Sequence, residues 1–311
     1  MEKNHTSITE ISLLGFQNLH NFKIPLFTLF LLMYILTICE NVLIIALVST
    51  SRNLQTPMYF FLQNLSISDL LVTANIVPIM LQTIINKEVT LSLVGCITQL
   101  YLFAIFETFQ CLLLTVMSYD RYLAIGNPLR YSSIMNHRVC VKFIFMAWTI
   151  GCSIMLIPLI SLAMLQFCKP NPIDHFFCDL APLLEISCSD TSFVKIQVIS
   201  EVIFLTFFPL MLIIVSYVYI VNIILKIGSS SERQKVFSTC SSHLAVVSIF
   251  YGTLISIYVI GPGNKLVPKV PSLLNTFMVP FFNPVIYSLR NKDIKEAFKK
   301  LLCSVPLCNS V

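Results

Sequence analysis

Seven long apolar windows constrain this chain more than any other feature. They cover residues 24–50, 57–83, 94–120, 140–164, 196–225, 236–260 and 270–289. A helix of about 20 apolar residues spans ~30 Å of hydrocarbon, so each window can cross a bilayer. The windows lack the two-residue alternation of barrel strands, and membrane helices tolerate the prolines they contain. Only 11% of the 311 residues are charged and 56% are hydrophobic, whereas soluble domains are about 25% charged. The chain reads as an all-α membrane protein, a seven-transmembrane helix bundle. After the last window, "NKDIKEAFKKLL" puts Ile294, Ala297, Phe298 and Leu301 on one face and Lys and Glu on the other. That spacing predicts a short amphipathic eighth helix on the inner leaflet. Cys303 and Cys308 beyond it read as acylation sites or as idle thiols. The plan is an outer tail (1–23), one seven-helix domain (24–290) and an inner helix and tail (291–311).

Charge sets the orientation. Of the 20 Lys and Arg, thirteen fall on the inner side if the amino terminus is outside, and seven fall on the outer side. Positive residues concentrate on the cytoplasmic side, which favours N-out and C-in. Asn4 of "NHT" is a glycosylation acceptor that works only outside. The net charge of +5 suits anionic lipid at the inner face and does not imply nucleic acid. No cleavable signal segment is visible, so the first span is expected to act as its own anchor. Cys96, Cys168, Cys178 and Cys188 fall in the outer segments, where an oxidising space allows three pairings.

The stretch "MSYDRYLAI" places Asp120 and Arg121 at the inner end of the third window. Arg121 is 25 residues from Cys96, about 37 Å of helix. A guanidinium there can pair with Asp120 or swing to another partner, which makes a two-position element. A plain interfacial Arg reaching for water is the other reading.

Four segments carry a resemblance: "LQTPMYFFLQNLSISDLL" (54–71), "MSYDRYLAIGNPLRY" (117–131), "KVFSTCSSHLAVVSIFYGT" (235–253) and "PFFNPVIYSLRNKDIKEAF" (280–298). In this order, each on its own helix, they resemble the vertebrate olfactory receptors of the rhodopsin-like, G-protein-coupled superfamily. The resemblance covers nearly the whole chain. It implies a small-molecule odorant as ligand, a stimulatory G protein as partner, a rise in cAMP, and a plasma-membrane location in olfactory cilia. Asp120, Arg121 and Tyr122 then form the inner switch, with Tyr217, Asn283, Pro284 and Tyr287. Asn41 and Asp69 belong to the polar interior. The resemblance also implies Cys96–Cys178 and Cys168–Cys188 disulfides that roof the pocket. Pro284 removes a backbone donor and weakens its helix locally. An acid such as Asp69 in mid-membrane must be paired, hydrated or neutral.

Phe103, Ala104, Glu107, Thr108 and Cys111 share one face of the third helix at 3–4 spacing. Glu107 lies about 16 Å below Cys96. The family often carries Glu three residues further on, where this chain has Gln110, and Gly where it has Glu40. Two readings of Glu107 stay open. With Glu201, it recognises a hydrogen-bond donor or a cationic amine. Alternatively it is a neutral acid bonded to a neighbouring helix. Phe204, Leu205, Tyr251, Leu254, Ile255, Tyr258, Leu273 and Thr276 complete an apolar, aromatic wall suited to small hydrophobic volatiles. No cofactor or metal is expected: Cys240 with His243, or His175 with Asp179, supply too few ligands. No catalytic motif is present. The competing class is a secondary transporter or channel, because intramembrane acids also serve proton relays. Inverted repeats and broken helices, common in transporters, are not visible.

Overall fold

The computed structural model describes residues 8–16, 22–86, 88–168, 172–257 and 269–304. Asn4, Tyr258 and Cys308 lie outside them, and so does the side chain of Cys303. Strand β1 (Glu10–Leu13) precedes α1 (Lys23–Thr50) and α2 (Pro57–Ile85). Strand β2 (Val89–Ser92) leads into α3 (Leu93–Gly126). Short α4 (Pro128–Ile134), long α5 (His137–Ala163) and short α6 (Leu180–Glu185) follow. Then come α7 (Ser192–Lys226), α8 (Ser230–Ile255), α9 (269–290) and α10 (Lys292–Ser304).

Among the described residues, α1, α2, α3, α5 and α7 are long and apolar enough to cross a membrane, and α8 carries a shorter apolar stretch, Cys240–Ile255. Each long helix overruns its apolar window, because capping decides where a helix starts while hydrophobicity decides only what lies in lipid. Ser92 accepts from Gly95 N and starts α3, and Asn136 accepts from Val139 N and starts α5. Pro57 and Pro128 occupy first-turn positions, where a missing N–H costs nothing.

Helix α3 is central and packs on α2, α5 and α7. The outward face of α7 is apolar: Phe204, Phe208, Met211 and Val218 are exposed, an arrangement that lipid, not water, would cover. Along the bundle axis the core has three stacked clusters. One gathers Tyr59, Leu114, Tyr217, Phe250 and Tyr287 around the end that carries Arg121. A middle one gathers Ile76, Met80, Phe106, Phe177 and Phe277. The third, with Ile11, Leu13, Cys96, Cys178 and Leu183, closes the other end.

That other end is roofed by the chain itself. Cys96–Cys178 and Cys168–Cys188 are both formed. The N-terminal strand β1 pairs antiparallel with β2 in the register Glu10↔Ser92 to Leu13↔Val89. It also bonds to the long loop, through Ile173 N to Ser12 O (2.8 Å) and Leu14 N to Ile173 O (2.9 Å). Gly15 turns the strand away with φ 52°, and a Cβ there would meet the Thr83 side chain at 2.5 Å. Only glycine satisfies both constraints. This two-stranded pairing was not legible as an element in the sequence. At the Arg121 end, α10 divides its apolar face. Ile294 and Ala297 are buried in the bundle core, while Phe298 and Leu301 remain partly exposed.

Candidate functional site

Three levels of polar side chains run down the inside of the bundle. The level nearest the disulfides holds the residues predicted to bind a ligand. Phe103 is buried and packs edge-on against Phe177 at 5.5 Å, so the disulfide-tied loop reaches down onto α3. Thr108, Cys111, Tyr251, Leu254 and Thr276 are buried, while Ala104, Glu107, Glu201, Leu205, Ile255 and Leu273 are partly buried. Tyr251 donates to Cys111 O at 3.4 Å, which joins α8 to α3. Phe204 does not join this group: it is 70% exposed on the outer face of α7. The reason is local. Residues 203–207 form a π-helical turn, which shifts the register by a residue and buries Thr206 instead.

A second π turn, residues 274–278 in α9, buries three consecutive side chains, Asn275, Thr276 and Phe277. Helical periodicity picks out Thr276 and passes over Asn275. The wide turn brings both inside, and π turns often accompany functional sites. Asn275 Oδ1 accepts from Thr253 Oγ1 at 2.8 Å. Its amide lies against the Glu107 carboxyl. No hydrogen bond closes between them: Glu107 Oε2 and Asn275 Nδ2 are both sealed and without a partner among the described residues. Gln197 Oε1, on α7 one turn from Glu201, is in the same condition.

The middle level is satisfied. Asp69 Oδ1 accepts from Gln110 Nε2 at 3.0 Å, and Asp69 Oδ2 accepts from Asn283 Nδ2 at 3.0 Å. Gln110 also reaches Ser68 Oγ at 3.3 Å. Asn41 Nδ2 donates to Thr37 O and to Pro280 O, linking α1 to α9 beside this network. Three helices are thus tied through one carboxylate. Gln110 serves here as the donor from α3.

The third level surrounds Arg121, whose guanidinium is ion-paired with Asp120. Tyr131 of α4 donates to Asp120 Oδ1 at 2.7 Å. Burial and the neighbouring Asp120 push the Tyr131 hydroxyl above its ordinary value, so it stays a donor. Arg121, Asp120, Met58, Met117, His243 and Tyr287 line a small cleft. Tyr217 meets His243 Nδ1 at 2.8 Å, while Tyr287 OH has no partner among the described residues. Tyr122 faces away from the cleft, against Tyr119 and Tyr219. Asn283 belongs to the middle level, and Pro284 follows it inside α9. Tyr59, which motif reading left unassigned, donates to Asn291 Oδ1 (3.0 Å) and Asp293 Oδ2 (2.8 Å), fastening α2 to α10.

A family profile described as olfactory receptor matches residues 30–305. Olfactory receptor 6C1 of Homo sapiens is 45% identical over 299 residues, covering 95% of this chain and 96% of that protein. Olfactory receptor 11L1 of Homo sapiens is 44% identical, covering 97% and 95%. Olfactory receptor 1M1 of Mus musculus is 42% identical, covering 96% of both. The crystal structure of squid rhodopsin matches in fold with a TM-score of 0.71 at 20% identity, covering 92% of this chain and 87% of that one.

Proposed function

The chain belongs to the olfactory receptor family of G-protein-coupled receptors, and from that premise we propose that it is an odorant receptor acting through a stimulatory G protein. The family places it among multi-pass plasma-membrane receptors with a small-molecule ligand and a G protein as partner. The match over residues 30–305 carries this reading and decides for a receptor over a transporter or channel.

On this reading the disulfide end is extracellular and the Arg121 end cytoplasmic, with Asn4 glycosylated and α10 resting on the inner leaflet. Small, mainly hydrophobic odorants sit between α3, α7, α8 and α9, under the Phe177 loop. The ligand acts only by binding one bundle arrangement better than the other. In the resting arrangement Asp120 holds Arg121, and Tyr131 holds Asp120. In the active one, that grip loosens and Arg121 meets the G protein. The Asp69 network lies between the two ends and joins α2, α3 and α9. A tilt of α9 at Pro284 therefore passes through it. Placement in olfactory cilia and a rise in cAMP complete the proposal.

The test is expression in a cell line carrying a cAMP reporter, with and without a stimulatory G protein. A response to volatile compounds that requires the G protein supports the reading. A ligand-gated current that persists without it contradicts the reading. Arg121→Ala at normal surface density is expected to abolish the response, and a full response in that variant would refute the role given to Arg121.

A further inference from the structure

We propose that the ligand of this receptor carries a hydroxyl group, and that this hydroxyl bridges Glu107 on α3 and Asn275 on α9. The inference rests on the odorant-receptor reading and names the chemistry its ligand must have.

The polar groups around the candidate pocket are not equally occupied. Thr253 Oγ1 bonds Phe250 O and Asn275 Oδ1, Thr276 Oγ1 donates to Ser272 O at 2.8 Å, and Tyr251 donates to Cys111 O. Where α3 and α9 border the candidate pocket, what stays open among the described residues is one carboxyl oxygen, Glu107 Oε2, and one amide nitrogen, Asn275 Nδ2. Their helices are joined at this level through α8, where Thr253 bonds Asn275 and Tyr251 bonds Cys111 O, one turn from Glu107. The Asn275 amide is close enough to act on the Glu107 carboxyl, and Asn275 is 1% exposed. Polar atoms buried without partners are costly, so a fold keeps such a pair where something else completes it.

The shape of that demand selects a functional group. An ammonium donates only, so it answers Glu107 and leaves the Asn275 N–H unmet. It must also shed its hydration to enter an apolar bundle. A ketone or an ether accepts only, so it answers Asn275 and leaves an ionised Glu107 unmet. A hydroxyl does both. With Glu107 ionised, the hydroxyl donates to Oε2 and accepts from Nδ2. Phe103, one turn from Glu107, and Leu254 and Phe277, near Thr253 and Asn275 in sequence, are apolar and buried, so the rest of the ligand is hydrocarbon.

The experiment uses the full-length receptor in the reporter cells and matched sets of compounds. Each set is an alcohol, its methyl ether, the primary amine and the ketone, on linear, branched, cyclic and aromatic C5–C10 skeletons. Alcohols are expected to dominate the hits, with EC50 values about tenfold or more below those of the matched ethers. Glu107→Leu and Asn275→Leu are each expected to collapse that alcohol-to-ether ratio toward one. Glu107→Gln, which keeps an acceptor, retains most of it. The ratio is read within one variant, so it is insensitive to expression, and surface staining reports folding. A receptor led by amines or ketones, silence toward every alcohol, or an unchanged ratio in both Leu variants overturns the inference. A G-protein-dependent response to ketones alone would sink it while leaving the odorant-receptor reading intact.

Discussion

Asp69 and Glu107 are two acids inside one bundle, and their surroundings differ in kind. Gln110, which holds Asp69, is one turn along α3 from Glu107. Asp69 receives donors from α3 and α9 on both oxygens. Glu107 faces an amide on α9 without a bond, and both partners are left open. A satisfied carboxylate ties helices together and resists change. An unsatisfied one offers binding energy to whatever arrives. The contrast teaches where a structural node ends and a recognition site begins.

The largest expected effect comes from Asp69→Leu. It strands the Gln110 and Asn283 amides, at about 1–3 kcal/mol each. Denaturation of the purified receptor in nanodiscs should show a loss of about 3 kcal/mol, together with loss of signalling. A change below about 0.5 kcal/mol would erase the distinction, since buried donors deprived of an acceptor cost more than that. Gln110→Leu removes one donor of the two and is expected to cost about 1–2 kcal/mol in the same assay. Glu107→Leu should behave in the opposite way. It deletes an unpartnered polar group, so stability without ligand is expected to hold or to rise by up to about 1 kcal/mol. A loss comparable to that of Asp69→Leu would mean that Glu107 already has a structural partner.

The smallest effect concerns a third buried polar group, this one in the roof. His175 stacks on Phe176 at 4.6 Å, and both its ring nitrogens lack a hydrogen bond among the described residues. Burial holds its pKa below the ordinary 6.5. The folded roof therefore prefers the neutral ring. Its contribution is complete above about pH 6.5, the unfolded value, and is lost as pH falls from there toward the lower folded value. Hydrogen-exchange protection factors of residues 8–16 and 172–178, which correct for the slower intrinsic exchange in acid, are expected to be lower at pH 5.5 than at pH 7.5, and His175→Phe should remove that dependence. An equal pH dependence in the variant would assign the effect elsewhere.

The long apolar windows made the bundle legible, because helix-length hydrophobicity reports directly on a membrane span. Both disulfides followed the family resemblance. The candidate pocket was legible on α3, where regular 3–4 spacing places Phe103, Thr108 and Cys111 inward. It was misread where that spacing breaks. The π turns at 203–207 and 274–278 shift register, so Phe204 faces outward and Asn275 comes in. Periodicity carries no signal for a turn that violates it. The β1–β2 pairing was hidden for another reason: four-residue strands in "EISL" and "VTLS", separated by α1 and α2, gain their meaning only from pairing across the bundle top.

The central claim is that a hydroxyl ligand completes the Glu107–Asn275 pair and thereby loosens Arg121 at the other end. The most direct measurement is a cryo-EM structure of the receptor bound to its most potent alcohol from the matched panel and to a G protein. The account predicts ligand oxygen density within hydrogen-bonding distance of both Glu107 and Asn275, with Arg121 parted from Asp120. Ligand density away from that pair, or an Arg121 still bonded to Asp120 in the signalling complex, would contradict it.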